Sequence, residues 1–219
     1  MKHLIIVGTL FAMLALSACI RIQVIDENTP NLLRRPIDAN AIAVGISMKE
    51  KGFLSSPHVF GAYFVRLEQK EDILRQDRFI YSNIWSNGYV YLLNAQPGRY
   101  AVVAVTSISG ETYFLQESLI QQTVTTVAPG TIGYLGDYDV KRSWHGPTAD
   151  NDSIENYYFH LLPRQGSRHT YVAQMLSGTH DEQGESEFLR LTDEGLLAQA
   201  GGAWSTWIQQ RLQTLRRPN

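Results

Sequence analysis

The sequence predicts a mainly β protein, an antiparallel β-sandwich followed by a C-terminal helical segment. Short runs rich in β-branched and aromatic residues recur along most of the chain, and Pro-Gly pairs at 97–98 and 129–130 supply tight turns among them. Repeated short strands with turns between them are typical of sandwiches and barrels. Towards the C-terminus the apolar spacing changes from two residues to about 3.6, the period of a helix. We therefore predict a β-sandwich domain over 41–176, and an acidic loop with helices packed on that domain over 177–219.

The chain opens with a segment that we interpret as a secretory signal peptide, residues 1–18. Lys2 gives it a basic start, and residues 4–16 are uncharged and mostly apolar. This run is shorter than the roughly 20 helical residues that cross a hydrocarbon core. A charged start, a short apolar body and small residues at the exit, here Ser17 and Ala18, are typical of a cleaved signal.

The exit of this segment carries the sequence Leu16-Ser17-Ala18-Cys19, which contains the single cysteine of the chain. It resembles the lipobox of bacterial lipoproteins, Leu-small-small-Cys, at all four positions. The resemblance implies that the Cys19 thiol takes a diacylglycerol thioether, that cleavage follows Ala18, and that the new N-terminus is acylated, for example with palmitate. A thiolate is the soft nucleophile that such a transfer needs.

Lipidation at Cys19 would hold the protein on a membrane of the cell envelope. Each buried methylene contributes about 0.8 kcal/mol, so two or three acyl chains make release negligible. In Gram-negative lipoproteins, which this motif resembles, an Asp after the lipidated Cys retains the protein in the inner membrane. Ile20 occupies that position, which favours the outer membrane; in a Gram-positive source the outer face of the plasma membrane takes its place.

Residues 19–40 are predicted to form a lipidated tether. Asn28-Thr29-Pro30-Asn31 and Arg34-Arg35-Pro36 combine prolines, asparagines and charges, a composition typical of linkers. Some 20 extended residues reach at most about 70 Å, so the tether could lift the folded body off the bilayer.

Ten runs in the β domain have strand character: 41–48, 58–68, 79–85, 88–94, 99–106, 113–118, 121–127, 131–141, 157–162 and 169–175. The clearest hairpin joins 88–94 to 99–106. Pro97 presets its own φ at the first central position of the turn, and Gly98 takes a positive φ at the second without steric cost.

This hairpin also carries a resemblance. The segment Asn87-Gly88-Tyr89-Val90-Tyr91 followed by Gln96-Pro97-Gly98-Arg99-Tyr100 is similar to the Gly-x-aromatic and Pro-Gly-x-Tyr hairpin of transthyretin-like, carboxypeptidase-regulatory-like β-sandwiches. The resemblance covers roughly residues 41–142. It implies a sandwich of transthyretin-like or Ig-like type and carries no activity with it.

The C-terminal region predicts two helices, 186–199 and 203–215, separated by Gly201-Gly202. The second has an apolar stripe made of Trp204, Trp207, Ile208, Leu212 and Leu215. Such a stripe could bind a membrane or a partner helix, but packing on the β body is the ordinary outcome.

Composition limits the partners that we expect. Removing Lys2 with the leader leaves 18 Lys and Arg of the original 19 against 21 Asp and Glu, a net charge of −3. This charge gives no positive electrostatic potential that would attract nucleic acid. The partners that we expect are therefore the membrane, reached through Cys19, and an envelope protein. With Cys19 lipidated no thiol remains for a disulfide, so stability must come from apolar burial.

The sequence assigns no metal, cofactor or catalytic residue. The six histidines are scattered: His3, His58, His145, His160, His169 and His180. His169, His180 and Asp181 could meet as metal ligands, but no ligand-spacing motif links them. No Gly-x-Ser-x-Gly elbow occurs, so a hydrolase nucleophile is unsupported.

The most polar segment surrounds His145, Asp150, Asp152 and Glu155. Its Asp-x-Asp pattern is shared with calcium loops, but the required Gly and distal Glu are missing. We interpret it as a solvated turn and as the first place to inspect for a ligand.

Two other patterns have ordinary interpretations. Gly130, Gly133 and Gly136 lie in strand-like sequence, where turn or bulge glycines are expected rather than a phosphate cradle. Glu185 and Glu187 are expected to be hydrated loop residues.

These observations predict a lipoprotein with a non-enzymatic binding or scaffolding role. One alternative is an envelope hydrolase with a site in 145–155 or around His169 and His180. Another is a small-ligand-binding lipoprotein with an aromatic groove, for which the alternating Tyr89 and Tyr91 are candidates, although half-exposed strand tyrosines are also routine.

Overall fold

A computed structural model describes residues 43–50, 59–67, 74–76, 79–82, 84–93, 95–143, 152–162, 170–196 and 203–216. The strands are β1 (Ala43–Glu50), β2 (Val59–Leu67), β3 (Phe79–Tyr81), β4 (Ile84–Ser86), β5 (Tyr89–Leu93), β6 (Gly98–Ser107), β7 (Thr112–Leu115), β8 (Thr125–Val127), β9 (Ile132–Ser143) and β10 (Thr170–Thr179). The helices are α1 (Glu117–Gln122), α2 (Ile154–Leu161), α3 (Glu182–Leu191) and α4 (Ala203–Leu215), with a π-helical turn at Thr192–Leu196 directly after α3.

The strands form one mixed sheet in the order β3-β2-β6-β7-β10-β9-β1-β5-β4, and β8 pairs with β6 as well. Two of the pairs, β1 with β9 and β7 with β10, are parallel. The sheet is strongly curled into a half-barrel, so β2, near one end of the strand order, contacts β4 and β5 at the other end.

The predicted two-sheet antiparallel sandwich, whether transthyretin-like or Ig-like, is therefore wrong. Within the described residues the protein is mixed α/β, with one curled sheet and four helices. Both parallel pairs join strands that are far apart in the sequence. The alternation of apolar and polar residues along one strand does not show which other strand it pairs with. Two predicted strands also fail in part: residues 157–162 lie mostly in α2, and 121–127 begins within α1.

The predicted hairpin across Pro97-Gly98 is also wrong. In the described strands β5 pairs with β1 and β4, whereas β6 pairs with β2, β7 and β8. The chain that follows β5 thus enters a different part of the sheet at β6. Arg66 of β2 holds this crossing, because its guanidinium donates to Gln96 Oε1 at 2.9 Å and to the Pro97 carbonyl at 2.8 Å.

A two-residue hairpin does exist, one step earlier in the chain. Asn87 and Gly88 join β4 to β5 with φ values of 50° and 82°, and Ser86 pairs with Tyr89 across the turn. Asn-Gly is the pair that tolerates positive φ at both central positions of such a turn.

The two terminal strands of the sheet, β3 and β4, are separated in the chain by residues 82–83 alone. The Ser82 amide donates to the Ala62 carbonyl at 2.8 Å, and the Ala62 amide donates to Ser82 Oγ at 2.9 Å. The rings of Phe60 and Trp85 lie 6.4 Å apart on the same seam. This short stretch therefore ties both ends of the sheet together and stabilises its curl.

Most buried apolar residues belong to a main core shared by β2, β5, β6, β7, β9, β10, α1 and α2. Its largest fully buried side chains are Phe64, Tyr100, Phe114, Leu115, Leu119, Ile120 and Tyr158. The Val102 amide donates to Thr123 Oγ1 at 2.9 Å, and that hydroxyl donates to the Ile120 carbonyl at 2.8 Å. The end of α1 is thereby fastened to β6.

A second core lies between the sheet and the C-terminal helices. It consists of Tyr89, Tyr91, Ile132, Tyr134, Phe188, Leu189, Ile208 and Leu212. Successive side chains of β5 point to opposite faces of the sheet, and this separates the two cores. Val90 and Leu92 enter the main core, whereas Tyr89 and Tyr91 enter the second. The predicted helix over 203–215 is confirmed, and Ile208 and Leu212 of its stripe are buried.

Replacing Phe188 with Ala should destabilise the protein by about 3–5 kcal/mol, because a large cavity would open in the second core. Its ring lies 5.0 Å from Tyr89, 5.8 Å from Tyr91 and 5.2 Å from Tyr134. Urea unfolding followed by circular dichroism measures the change. Gln213→Ala on the exposed face of α4 is the control and should leave the unfolding midpoint in place.

Candidate functional site

The described surface contains an open groove at the start of α3, which we call the α3 groove. It has a volume of about 800 Å³ and is lined by Asp181, Glu182, Gln183, Ser186, Glu187 and Leu215. The first five residues come from the beginning of α3 and the last from the end of α4. The groove is therefore shaped by the packing of these two helices and carries mainly polar and acidic groups.

Local sequence explains why α3 begins here. Asp181 Oδ1 accepts a hydrogen bond from the Gly184 amide at 2.8 Å and caps the helix, and Glu182 and Glu185 follow in the first turn, where the helix dipole favours acids. Gly184 is needed because a Cβ at this position would collide with the Tyr134 hydroxyl. The predicted loop over 177–187 is thus the end of β10 and the first half of α3.

One ion pair fixes α4 against α3. Arg211 donates from Nε and Nη2 to the two carboxylate oxygens of Glu185, at 2.7 and 2.8 Å. These hydrogen bonds raise the pKa of Arg211. Because the contact is bidentate, it sets the relative orientation of the helices as well as holding them together.

The acids of the groove differ in how they are engaged. Arg190 donates to Glu187 at 2.7 Å, and this hydrogen bond lowers the pKa of Glu187. The exposed Glu182 carboxylate lies near Arg211, whose pKa it helps to raise, but the hydrogen bonds that Arg211 donates to this helix go to Glu185. Glu182 is therefore the anion of the groove that is best placed to meet a cationic group from outside.

A tyrosine–aspartate cluster lies beneath α3. The hydroxyls of Tyr89 and Tyr134 both donate to Asp137 Oδ2 at 2.7 Å. Burial, reinforced by the Asp137 carboxylate, raises the pKa of both tyrosines. Burial likewise raises the pKa of Tyr91, whose hydroxyl lies 3.0 Å from Thr192 Oγ1. These rings therefore stay protonated and act as hydrogen-bond donors.

His180 lies between β10 and α3, beside this cluster. Its Nδ1 is 3.0 Å from the Gln122 carbonyl, and its Nε2 is 3.0 Å from the Tyr134 carbonyl and 3.1 Å from Thr125 Oγ1. Both ring nitrogens are thus engaged by the protein. The side chain joins the end of α1, the strands β8 and β9, and the start of α3.

Several residues singled out in the sequence lie outside the described residues, namely Cys19, His3, His58, His145, Asp150 and His169. His160 is exposed on α2, and its ring is 5.3 Å from that of Phe159. In the ranges that the structure covers, no group of three His, Cys, Asp or Glu side chains could hold a metal ion. Asp181 does not join His180 as a ligand, because it caps α3.

The remaining candidates have structural roles. Asp152 and Glu155 flank the start of α2, where Ser153 is the capping residue and accepts from the Asn156 amide at 3.1 Å. Glu185 and Glu187 belong to α3 rather than to a loop.

The glycine series is explained by turns and a bulge. Gly130 (φ 69°) lies in a turn, and Gly136 (φ 110°) lies where β9 has one more residue than β1. For these two the interpretation as turn and bulge glycines is confirmed, whereas Gly133 pairs regularly with Val44 inside β9.

The aromatic groove imagined around Tyr89 and Tyr91 is filled. Both rings are buried under Phe188, so this face packs α3 in the folded chain. The sequence did contain a signal for the helix that covers it, since Asp181 followed by Glu182 and Glu185 is a helix-start pattern. Gly184 within that pattern obscured it.

Among the helices that the structure describes, none has both the length and the hydropathy to cross a bilayer. Comparisons with models of protein families, with curated proteins and with solved structures found no match.

Raised tyrosine pKa values predict alkaline unfolding. Tyr89, Tyr91, Tyr134 and Tyr138 have folded-state pKa values well above the ordinary value of about 10. Above about pH 10 the folded chain therefore binds more protons than the unfolded chain, and the free energy of unfolding falls as pH rises. Below that pH their full contribution to stability is present.

Phenolate absorbance and circular dichroism, recorded together along an alkaline titration, measure this effect. We expect these four rings to ionise in the same cooperative step that removes the native dichroism. In urea all 11 tyrosines should titrate near pH 10 (about the ordinary value). Ionisation of all the rings at that pH in the folded protein would contradict the burial argument.

Proposed function

We propose that this chain is a lipid-anchored lipoprotein of the bacterial cell envelope with a non-enzymatic binding or scaffolding role. The observation that carries the proposal is the sequence Leu16-Ser17-Ala18-Cys19 at the end of a short apolar leader. A single cysteine placed directly after small residues, at the exit of a signal, is the chemistry that lipid transfer requires. Outer-membrane placement, favoured by Ile20, is part of the proposal.

The attachment point of the tether supports an anchored role. The described body begins at Ala43 in β1, which pairs with β5 on one edge and with β9 on the other. A pull on the tether is thus resisted by hydrogen bonds along both edges of one strand. This arrangement suits a body held at a bilayer through Cys19.

The α3 groove is the surface that best suits a binding role. It is open, it carries the exposed Glu182 carboxylate, and it rests on helices fixed by the Arg211–Glu185 pair. An envelope protein that offers a cationic segment would complement it. Exposed apolar side chains such as Trp85 and Ile108 also occur, but single residues of this kind are common on protein surfaces.

Mass spectrometry of the protein from a bacterial host tests the anchor. The expected product begins at Cys19 and carries a diacylglyceryl thioether and an amide-linked acyl chain. Cys19→Ser should leave an unprocessed, unlipidated chain. A free Cys19 thiol on a protein recovered in the soluble fraction would refute the proposal.

Ile20→Asp tests the placement in a Gram-negative host. The substitution should move the lipidated protein from the outer to the inner membrane fraction without changing its mass-spectrometric lipid signature. Ile20→Ser is the matched control and should remain in the outer membrane. Equal distributions of the two variants would remove the sorting argument while leaving the anchor untouched.

Charge reversal at Glu182 tests the groove. Photo-crosslinking from Gln183 in intact cells should yield a reproducible adduct, and Glu182→Lys should reduce it roughly tenfold, equivalent to about 1.4 kcal/mol. Glu117→Lys, at an exposed position of α1, makes the same charge change elsewhere and should have no effect. Equal losses in both variants would point to net charge rather than to the groove.

A further inference from the structure

The Asn87-Gly88 turn between β4 and β5 contacts the C-terminal end of α3. Asn87 Nδ2 donates to the carbonyl of Leu191, the last residue of α3, at 3.0 Å. Gly195 in the π-helical turn makes this approach possible, because a Cβ there would lie 2.2 Å from Asn87 Nδ2 and 3.0 Å from Ser86 Oγ. The side-chain amide of Asn87 thus holds the hairpin against the end of the helix.

This turn is also the only Asn-Gly pair in the sequence. An asparagine that precedes glycine can react with its own backbone, because glycine has no Cβ to keep its amide nitrogen away from the side-chain carbonyl carbon. Asn87 is exposed, and no atom of the described residues lies within 4 Å of the place where Gly88 would carry a Cβ. The β4–β5 ladder ends with the Ser86–Tyr89 pair, so the Gly88 nitrogen lies beyond it, in the turn.

We propose that Asn87 is a site of spontaneous deamidation and that this reaction releases the hairpin from α3. In the first step the Gly88 nitrogen attacks Asn87 Cγ. The new bond between these two atoms replaces the bond from Cγ to Nδ2, and Nδ2 leaves as ammonia with the proton from Gly88. Water then opens the resulting cyclic imide at either carbonyl carbon and gives aspartate or isoaspartate at position 87.

The hydrogen bond to Leu191 controls the rate of this reaction. Ring closure requires Asn87 Cγ to swing towards the Gly88 nitrogen, and the bond from Nδ2 to the Leu191 carbonyl holds the side chain in another position. The reaction therefore proceeds from molecules in which this bond has opened, and its rate follows the open fraction. Deamidation thus depends on the local stability of the contact between the hairpin and α3.

The product cannot restore that contact. An ionised carboxylate at position 87 has no proton to donate to the Leu191 carbonyl. It would lie at the C-terminal end of α3, where the helix dipole disfavours negative charge, beside a turn that carries Asp193 and Glu194. Isoaspartate, in addition, lengthens the backbone of the turn. Each deamidated molecule therefore loses this tie between the hairpin and the helix.

Storage of the folded, intact protein at mildly alkaline pH is the first measurement, followed by peptide mapping with mass spectrometry and enzymatic detection of isoaspartate. Both products should accumulate at position 87 ahead of Asn83 and Asn94, which precede Ile84 and Ala95 and are internal controls. Conversion at position 87 that is no faster than at these two residues would overturn the proposal, and this readout needs no variant to fold.

Two glycine variants test how the reaction is controlled. Gly195→Ala places a methyl group where Asn87 Nδ2 lies. It should displace the amide from Leu191 and quicken deamidation about fivefold, the factor equivalent to the ~1 kcal/mol of an ordinary hydrogen bond. Gly88→Ala should slow the reaction strongly, because its Cβ obstructs the attacking nitrogen.

Gly110→Ala is the matched control for both variants. Gly110 has a φ of 81°, against 82° for Gly88, so alanine strains the β6–β7 turn to a similar degree without touching Asn87. The deamidation rate should stay at the wild-type value. An unchanged rate in Gly195→Ala, or the same acceleration in Gly110→Ala, would refute control by the Leu191 bond.

Hydrogen exchange measures the release of the helix end. Protein stored until position 87 is converted should exchange faster at residues 191–196 than fresh protein, and Asn87→Asp should do so without storage. Exchange in both that matches the fresh wild type would overturn the release. Neither Cys19 nor the α3 groove takes part in these measurements, so a failure of the proposed function would be seen separately.

Discussion

The fold depends on β9, which is paired along both edges and packs apolar side chains on both faces. It runs parallel to β1 and antiparallel to β10. Leu135 and Tyr138 enter the main core, whereas Ile132 and Tyr134 enter the second core. A shift of one residue in its register would exchange these two sets, at a cost to both cores. The bulge at Gly136 interrupts the alternation of β9 side chains between the two faces of the sheet, at the point where the tyrosine–aspartate cluster forms.

The C-terminal helices depend on the outward residues of that strand and of β5. Tyr89, Tyr91 and Tyr134 form an aromatic face into which Phe188 inserts, and Asp137 fixes two of their hydroxyl groups. Packing therefore positions α3, and α3 in turn positions the groove. The aromatic residues that looked like a ligand surface are the support of the surface proposed for binding.

Local sequence patterns predicted several individual strands and helices, but they did not predict how the strands pair. The strands β2, β6 and β9 follow from runs of β-branched and aromatic residues, and α4 follows from its stripe. The crossing at Pro97-Gly98 shows the limit, because a proline–glycine pair permits a hairpin but does not require the flanking strands to pair. Helix α2 looked like a strand because Tyr157, Tyr158 and Phe159 favour strands intrinsically, and burial of Tyr158 against the main core overrides that preference.

Adjacent residues by themselves determined the Asn87-Gly88 turn and the apolar face of α4, and they are the basis of the proposed Cys19 box. Tertiary structure alone decided the strand order with its two parallel pairs, the Asp137 cluster and the surroundings of His180. The physical reason is the distance along the chain between partners. Gln122, Tyr134 and His180 meet only because a curled sheet brings α1, β9 and the start of α3 together, and no local pattern encodes that closure.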